Sequence, residues 1–351
     1  MTSAADESGS HLTIALDAVA CSNRCRHCEV TYGPPEGHLS RDEILRWRDR
    51  VQGLARDAGV AVSLGLTNTE LLDHPQWREL AMDLGWEFPP AALATNARRI
   101  AHEPALIDEF AGRGLQRLQL TLGGADRATH DAFTRLPGSF DHRVRAAELA
   151  VAAGLQVTWA CIACTPLCEL GRISELARSI SGPDADESVF LVKPQGEGRN
   201  LEQLRPTGAD LDQLPSSLRD RFPTWMGAGC ETEGELVEAL VNGGRQVGCI
   251  EAGIPGGCGT HELILCRNGD LYPVCHERCP DFLLGNLDRE GLGTVLGRLG
   301  AGWLPTALAL RYRGLAELAA EFGRPDGEHL HSGCSLCRTL VTRALTAANA
   351  A

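Results

Sequence analysis

The stretch that decides the fold is HLTIALDAVACSNRCRHC, residues 11–28. It opens with an apolar run of strand type, HLTIALD, and closes with three cysteines, Cys21, Cys25 and Cys28, which are separated by three and two residues. A tetrahedral zinc site or a cubane iron–sulfur cluster normally takes four protein ligands. Three cysteines in one loop leave such a metal centre one ligand short.

Strand-like and helix-like segments alternate from this point to about residue 205. The strand-like runs are HLTIALD, VAVSLGLT, AALATN, LQRLQLTLGG, QVTWACIAC and SVFLVKPQG. The first helix has its own start signal, with Ser40 as N-cap and Glu43 three residues later to complete a capping box. Six strands alternating with five helices predict an α/β fold with a parallel sheet, either open or bent into part of a barrel. Functional groups should then gather at the carboxyl ends of the strands.

Composition excludes several classes of protein. The chain has 351 residues, of which 43% are hydrophobic and 23% charged, as in ordinary globular proteins. It has no apolar run near the roughly 18 residues of a membrane span, and its start carries no secretion signal, so we expect a cytoplasmic protein without a membrane partner. Its 14 cysteines are then metal ligands or reactive thiols, since the cytosol keeps thiols reduced. A net charge of −13 argues against nucleic acid and suits a cationic partner, although a solvated acidic surface explains most of those charges.

The spacing Cys21-x3-Cys25-x2-Cys28 after the first strand resembles the signature of the radical S-adenosylmethionine (SAM) enzymes. In that family three cysteines bind a [4Fe–4S] cluster, and SAM chelates the iron that has no protein ligand. The resemblance implies a partial (β/α)6 barrel of the TIM-like type, with this cluster and SAM as cofactors. It also implies an electron donor such as flavodoxin or ferredoxin as a partner.

A second segment is similar to a SAM-binding motif of that family. NTELLDHP, residues 68–75, resembles the family's GGEPLLHP. Asn68 and Thr69 stand in place of the two glycines, and Glu70 is retained as a hydrogen-bond acceptor. The resemblance implies that this segment contacts SAM.

Four further residues belong to the SAM site that the resemblance implies. His27 precedes the third cysteine, where the family places a planar side chain against adenine, and Asn96 ends the third strand in the family's Thr-Asn pair. The run LTLGGADRATHDAFTRLPGSFD is similar to the family's SLDG…HD…R…GSFD, so Thr121 would lie near the ribose. Arg143, on the next helix, is a candidate for the SAM carboxylate. A strand-end polar residue and a solvated helix face are the simple alternatives for Thr121 and Arg143.

A second group of cysteines lies beyond residue 205, where the alternation stops. It consists of Cys258, Cys275 and the pair Cys334-x2-Cys337, and a hairpin closed by Arg267-Asn268-Gly269-Asp270 separates the first two. Asn and Gly suit this turn because they tolerate positive φ. The pattern resembles the twitch extension of radical SAM enzymes, a short form of the SPASM domain that holds one auxiliary [4Fe–4S] cluster. A structural zinc ion on the same four cysteines is the alternative.

The predicted organisation has four parts. They are a disordered N-terminus (1–10), a radical SAM partial barrel (11–205), a linker (206–248) and a small twitch domain with a β-hairpin and a helix (249–351).

Seven cysteines remain outside the two groups: Cys161, Cys164, Cys168, Cys230, Cys249, Cys266 and Cys279. At least one of the first three, and Cys266 in the hairpin, are predicted to be buried core residues. Cys249 differs, because it lies in the glycine-rich loop VGCIEAGIPGGCG at the junction of the two domains, where small-molecule sites are common.

The free thiol at this junction most resembles the aminoglycoside epimerases of the neomycin C type. The resemblance implies that a 5′-deoxyadenosyl radical abstracts hydrogen from a sugar carbon and that Cys249 returns hydrogen to the opposite face. Aminoglycosides are polycations, which the acidic chain would accommodate. A twitch dehydrogenase that oxidises a secondary alcohol is the alternative enzyme, and it needs no thiol donor. Outside catalysis, the alternative is an iron–sulfur or zinc scaffold or electron carrier, which would not cleave SAM.

Overall fold

Parallel strands and helices alternate through the first half of the computed structural model. The structure describes residues 11–28, 37–66, 70–85, 88–163, 168–192, 196–214, 216, 231–242, 262–273, 280–300, 315–331 and 333–350. The first strands are β1 (His11–Leu16), β2 (Ala61–Leu66), β3 (Ala92–Thr95), β4 (Arg117–Leu122), β5 (Gln156–Ala163) and β6 (Asp186–Leu191). The helices between them are α1 (Arg41–Ala58), α2 (Trp77–Asp83), α3 (Arg98–His102), α4 (Ala105–Gly112), α5 (Arg127–Thr134), α6 (Ser139–Ala152) and α7 (Cys168–Ser181).

The second half consists of shorter elements. Its helices are α8 (Gly208–Asp212), α9 (Glu233–Val241), α10 (Leu292–Gly300), α11 (Leu315–Phe322) and α12 (Gly333–Ala350). Its strands are β7 (Glu231–Thr232), β8 (Glu262–Leu265), β9 (Asp270–Pro273), β10 (Gly285–Asn286) and β11 (Leu330–His331). Helices α8 and α9 lie within the segment predicted as a linker. None of the helices in the described ranges is both long and apolar enough to cross a membrane.

The strands form two main sheets, and the predicted α/β fold with parallel strands is confirmed. One sheet has the order β3-β4-β5-β6 and is parallel throughout. The other has the order β10-β9-β8-β1-β2, in which β1 pairs in parallel with both β2 and β8. Within the described residues no ladder joins β2 to β3, so the expected partial barrel is divided between these two sheets. The two prolines before β3, Pro89 and Pro90, lack the N–H that a ladder needs, which keeps this strand short.

Helix α1 begins where the sequence predicts. The Ser40 N–H donates to the Glu43 carboxylate at 2.7 Å, and the Glu43 N–H donates to Ser40 Oγ at 3.3 Å, so the capping box is confirmed. Gly59 ends the helix with a φ of 66°, a left-handed conformation that glycine adopts without strain. The two caps fix the residues at which α1 begins and ends.

Each sheet has its own apolar core. The core of the β3–β6 sheet contains Trp159 and Phe110, which are both fully buried. The core around β1 and α1 also contains residues of the C-terminal elements, such as Leu265 of β8 and Leu340 of α12. The predicted hairpin is present as β8 and β9, with Gly269 at a φ of 84° in the turn. The hairpin extends the sheet of β1 and shares its core. Each Leu side chain buried in that core contributes about 1.5–3 kcal/mol, which a small separate unit could not gain alone.

Candidate active site

A cavity of about 300 Å³ lies at the carboxyl ends of β1, β3 and β4. Its lining includes the three cysteines of the first motif, Cys21, Cys25 and Cys28. It also includes five of the residues predicted for the SAM site: His27, Glu70, Asn96, Thr121 and Arg143. The structure thus brings both predicted sets to one place, while Asn68 and Thr69 lie outside the described residues.

The cysteine loop, residues 21–28, is held by hydrogen bonds from its backbone. The N–H groups of Arg24 and Arg26 donate to the carbonyls of Thr134 and Phe133, each at 2.9 Å. Those two carbonyls end α5, where the helix itself offers no donors. On the other side, the Ser22 N–H donates to the Asp73 carboxylate at 2.7 Å. The loop is therefore fixed from two sides by the protein alone.

The three thiols are of the chemical type that holds an iron–sulfur cluster. All three are thiols rather than halves of a disulfide, and together they line the cavity. Among the described His, Cys, Asp and Glu side chains no group of three is arranged to hold a single metal ion. Burial raises the pKa of Cys21 to about 12 and that of Cys25 to about 11, so both are neutral thiols at pH 7 until a cation replaces the proton. A [4Fe–4S] cluster held by these three cysteines would keep one iron without a protein ligand.

Asn23, at the centre of the cysteine loop, is fully buried and lines the same cavity. Its Oδ1 atom has no hydrogen-bond partner among the described residues. Burying an unpaired amide oxygen costs about 1–3 kcal/mol. This orphaned acceptor at the cavity indicates that the site is built for a further polar group.

Glu70 is a buried carboxylate with one oxygen still free. Its Oε2 atom accepts hydrogen bonds from Thr95 Oγ1, at 2.9 Å, and from the Asn96 N–H. Burial raises its pKa from 4.5 to about 7, while these two hydrogen bonds oppose the rise. Within the described structure Oε1 has no partner, so it can accept a hydrogen bond from an ammonium group in the cavity.

Arg143 reaches the cavity from α6 and is only 2% exposed, so it is not the solvated helix-face residue of the simple alternative. Its Nη1 donates to the Asn96 carbonyl and to Ser139 Oγ, the latter at 3.0 Å, and its Nε donates to the Thr121 carbonyl at 3.3 Å. Its Nη2 has no partner in the described parts of the chain. The guanidinium is thus oriented by the protein with one donor group left for an anion.

The predicted adenine residue, His27, stacks on Phe133 with ring centroids 4.9 Å apart and planes 8° from parallel. Phe133 belongs to α5. Asp131, in the same helix, accepts hydrogen bonds from the N–H groups of Gly138 and Phe140, at 2.7 and 2.8 Å. Asp131 thereby caps α6 and fixes its position against α5. This local packing explains why the HD and GSFD segments occur together in the sequence.

Sequence reasoning missed four residues of the site. Asp73, Ser139, His130 and Asn23 all contact the cysteine loop or the residues that hold it. All four lie within motifs that the sequence shows, but nothing in the linear pattern indicates that their side chains meet around this loop.

The second group of cysteines stays a prediction. Cys258, Cys275 and Cys249 lie outside the described residues, as does the side chain of Cys334 in α12. Cys337 is described and is 5% exposed, within the core around β1. Of the other cysteines, Cys161 is buried as predicted and Cys266 packs partly buried against the same core as Cys337.

Comparison with known proteins agrees with this site. Residues 17–167 match the Radical SAM superfamily. The AdoMet-dependent heme synthase of Methanosarcina barkeri is 27% identical over 201 residues, which cover 55% of this chain and 53% of that protein. The chain therefore matches about half of the length of this curated relative. The solved structure of native anSMEcpe with bound AdoMet and Kp18Cys peptide is similar in fold, with a TM-score of 0.52 and 14% identity over 97% of this chain and 99% of that one.

The chain accordingly contains a Radical SAM superfamily domain, and the cysteine loop lies inside it. This superfamily implies SAM and a [4Fe–4S] cluster as cofactors. The residues at the cavity fit both: three thiols for the cluster, Glu70 Oε1 for an ammonium group and Arg143 Nη2 for a carboxylate.

Proposed function

We propose that this protein is a radical SAM epimerase that inverts a sugar carbon of a cationic aminoglycoside. The observation that carries the SAM-dependent part is the cavity shared by the three cysteine thiols, the Glu70 carboxylate and the Arg143 guanidinium. When bound, the [4Fe–4S] cluster supplies the electron that cleaves SAM. The substrate class rests on the sequence: a twitch-like cysteine pattern, a net charge of −13 and the thiol of Cys249.

The residues at the cavity have separate tasks in this proposal. Cys21, Cys25 and Cys28 hold the cluster, and Glu70 and Arg143 bind the amino and carboxylate groups of SAM. Both side chains are fixed by hydrogen bonds to the protein, so little ordering remains when SAM binds. Both side chains are buried, and the lower effective dielectric constant there strengthens both contacts.

Inversion needs a hydrogen donor on the face opposite to SAM. One hydrogen atom leaves the sugar carbon for the nucleoside fragment of SAM, and one returns from the Cys249 thiol. The sulfur radical that remains takes up one electron and one proton to regenerate the thiol. An auxiliary cluster on Cys258, Cys275, Cys334 and Cys337 is the proposed source of that electron.

Dehydrogenation is the second candidate activity. An auxiliary cluster that accepts an electron from the substrate radical would convert the alcohol to a ketone without any thiol donor. The similarity to a heme synthase adds a haem precursor to the substrates worth testing. The acidic chain favours the polycation.

Anaerobic turnover in D2O distinguishes these possibilities. Reduced enzyme, SAM and candidate aminoglycosides, with a haem precursor in a parallel reaction, are followed by mass spectrometry. Epimerisation through an exchangeable thiol adds about one mass unit, whereas dehydrogenation removes about two. Formation of 5′-deoxyadenosine without any altered aminoglycoside would show that the substrate class is wrong, and absence of 5′-deoxyadenosine would refute radical SAM activity itself.

A further inference from the structure

The side-chain amide of Asn96 lies against a cysteine of the cluster motif. Its Nδ2 atom is 3.6 Å from Cys21 Sγ. Sulfur is a large and weak acceptor, so N–H···S contacts are longer than those to oxygen. The acceptor becomes much stronger once the thiol has lost its proton to a metal.

The orientation of this amide is fixed by its other neighbours. Asn96 Oδ1 accepts a hydrogen bond from the backbone N–H of Arg98 at 2.9 Å, and Nδ2 donates to the Asp73 carboxylate at 2.7 Å. A backbone N–H can only donate and a carboxylate can only accept, so the amide cannot be turned over. Asp73 takes one of the two Nδ2 hydrogens, and the second remains for Cys21 Sγ and for Ser22 Oγ, which is 3.1 Å away.

All polar atoms of this side chain are thus occupied by the protein. Oδ1 is used by the backbone, and Nδ2 is used by Asp73 and by the cysteine loop. The resemblance suggested that Asn96 contacts SAM, but the geometry directs its amide to the iron-binding loop.

We propose that Asn96 is a positioning residue that donates an N–H···S hydrogen bond to the Cys21 thiolate and so raises the reduction potential of the SAM-binding cluster. The inference rests on the proposed function, because it requires the cluster on the three cysteines. Reduction adds negative charge that is shared with the ligating sulfurs, so a donor to sulfur stabilises the reduced state more than the oxidised state. The amide nitrogen also lies between the Asp73 carboxylate and Cys21. The negative charge of that carboxylate disfavours reduction and so lowers the reduction potential.

Substitution Asn96→Leu tests this with little change in side-chain volume. The reduction potential of the cluster is measured in the absence of substrate, by titration followed with EPR, and the SAM-binding cluster is recognised by the change of its signal when SAM is added. We expect a midpoint more negative than that of the unaltered protein. The matched control is Asn242→Leu at an exposed residue that follows α9, which should leave the midpoint unchanged.

Activity with two reductants gives a second readout that a merely structural role would not change. Asn96→Leu should form 5′-deoxyadenosine more slowly than the unaltered protein with dithionite. The stronger reductant titanium(III) citrate should restore most of that rate. Loss of the rate with both reductants, together with an unchanged midpoint, would overturn the proposal.

The unaltered protein gives a test that does not depend on the variant. With asparagine labelled by 15N in the side chain, pulsed EPR of the reduced cluster should show a coupling to nitrogen that Asn96→Leu removes. Because the amide of Asn23 lies 3.9 Å from Cys25 Sγ, the coupling of Asn96 is the one that persists in Asn23→Leu. If Asn96→Leu fails to hold iron, the coupling in Asn23→Leu decides: its presence supports the hydrogen bond and its absence overturns it. A normal cluster with an unchanged midpoint in Asn96→Leu refutes this inference alone, whereas absence of any cluster on the three cysteines refutes the proposed function as well.

Discussion

The carboxylate of Asp73 accepts a hydrogen bond from the backbone N–H of Ser22 at 2.7 Å. The same oxygen also receives the side-chain amide of Asn96 at 2.7 Å. One carboxylate therefore joins the turn Leu71–Asp73, the cysteine loop and the end of β3. A hydrogen bond to a charged group contributes about 1.5–3 kcal/mol, which is enough to hold a short loop in place before iron binds.

Removing this carboxylate should weaken iron binding. In Asp73→Ala both hydrogen bonds are lost, so we expect fewer irons per chain after reconstitution and faster loss of iron to a chelator. Asp73→Asn keeps an acceptor oxygen of the same shape and should stay close to the unaltered protein. Equal iron content and equal chelation rates in Asp73→Ala would show that the loop does not depend on this contact.

The three cysteines of the loop should be needed individually. We expect Cys25→Ala to lose the SAM-binding cluster and all 5′-deoxyadenosine formation, because each thiolate holds a different iron. If the auxiliary cluster is also present, the iron content should fall from about eight to about four per chain. Cys161→Ala, a buried cysteine outside the cavity, is the control and should retain SAM cleavage. SAM cleavage by Cys25→Ala would show that Cys25 is not a necessary ligand of the SAM-binding cluster.

Glu70→Gln should raise the free energy of unfolding and weaken the binding of SAM. Burial holds the pKa of Glu70 at about 7, above its ordinary 4.5. Protonated Glu70 is thus favoured in the folded state, and its contribution to stability is complete below pH 4.5 and disappears as the pH rises through 7. At pH 8 the neutral amide, which can still accept from Thr95 and Asn96, should raise the free energy of unfolding by about 1–3 kcal/mol. The same change should weaken SAM binding, as isothermal calorimetry of the reconstituted protein would show. Unchanged affinity would remove Glu70 from the SAM site.

The order of the six strands could be predicted from the sequence because apolar runs and helical patterns alternate as far as β6. Helices α3 and α5 were not among the five helices predicted, because both are too short to show a clear helical period. The cavity followed from the strand order, since Cys21, Asn96 and Thr121 all come after or near the ends of parallel strands. The parallel pairing of β8 with β1 could not be predicted, because nothing in a short apolar run specifies a partner so far away in the chain. For the same reason Asp73 was missed: its role depends on where two distant loops meet.

Cys249→Ala should separate SAM cleavage from inversion. The variant should hold its clusters and form 5′-deoxyadenosine, since this residue lies outside the cysteine motifs. It should give little or no epimer, because no thiol then delivers hydrogen to the opposite face. Product analysis by chromatography and mass spectrometry checks this. An unchanged yield of epimer would leave Cys164 and Cys168 as the next thiols to examine.

Acid should destabilise the protein through a buried histidine. Burial, together with Arg205 and Arg343, holds the pKa of His331 at about 2, against 6.5 in an exposed residue. The Arg205 Nη2 atom lies 2.8 Å from His331 Nδ1, and the Glu233 carboxylate, which pairs with Arg343, lies 3.7 Å from its Nε2. Below pH 6.5 His331 is protonated in the unfolded chain but stays neutral in the folded chain. The free energy of unfolding should therefore fall with decreasing pH by up to about 1.4 kcal/mol per unit from this residue.

Urea unfolding at pH 7, 6 and 5 measures that slope. His331→Gln should show a smaller fall than the unaltered protein. His130, whose pKa burial lowers to about 3, adds a fall of the same sign in both proteins. Identical slopes in the His331→Gln variant and the unaltered protein would contradict the prediction.

The pairing of β1 with β8 bears on how the protein is made. Strand β1 leaves the ribosome before β8, which pairs with one of its edges and is synthesised about 250 residues later, after roughly 12–50 s at ordinary translation rates. Until then that edge has no partner from β8 and remains open to pairing with other chains. The loop that binds iron follows β1 directly, so its final geometry has to wait for a distant part of the same polypeptide. Iron–sulfur assembly on this protein should therefore follow translation, and slow synthesis of the C-terminal half should increase aggregation more than slow synthesis of the first.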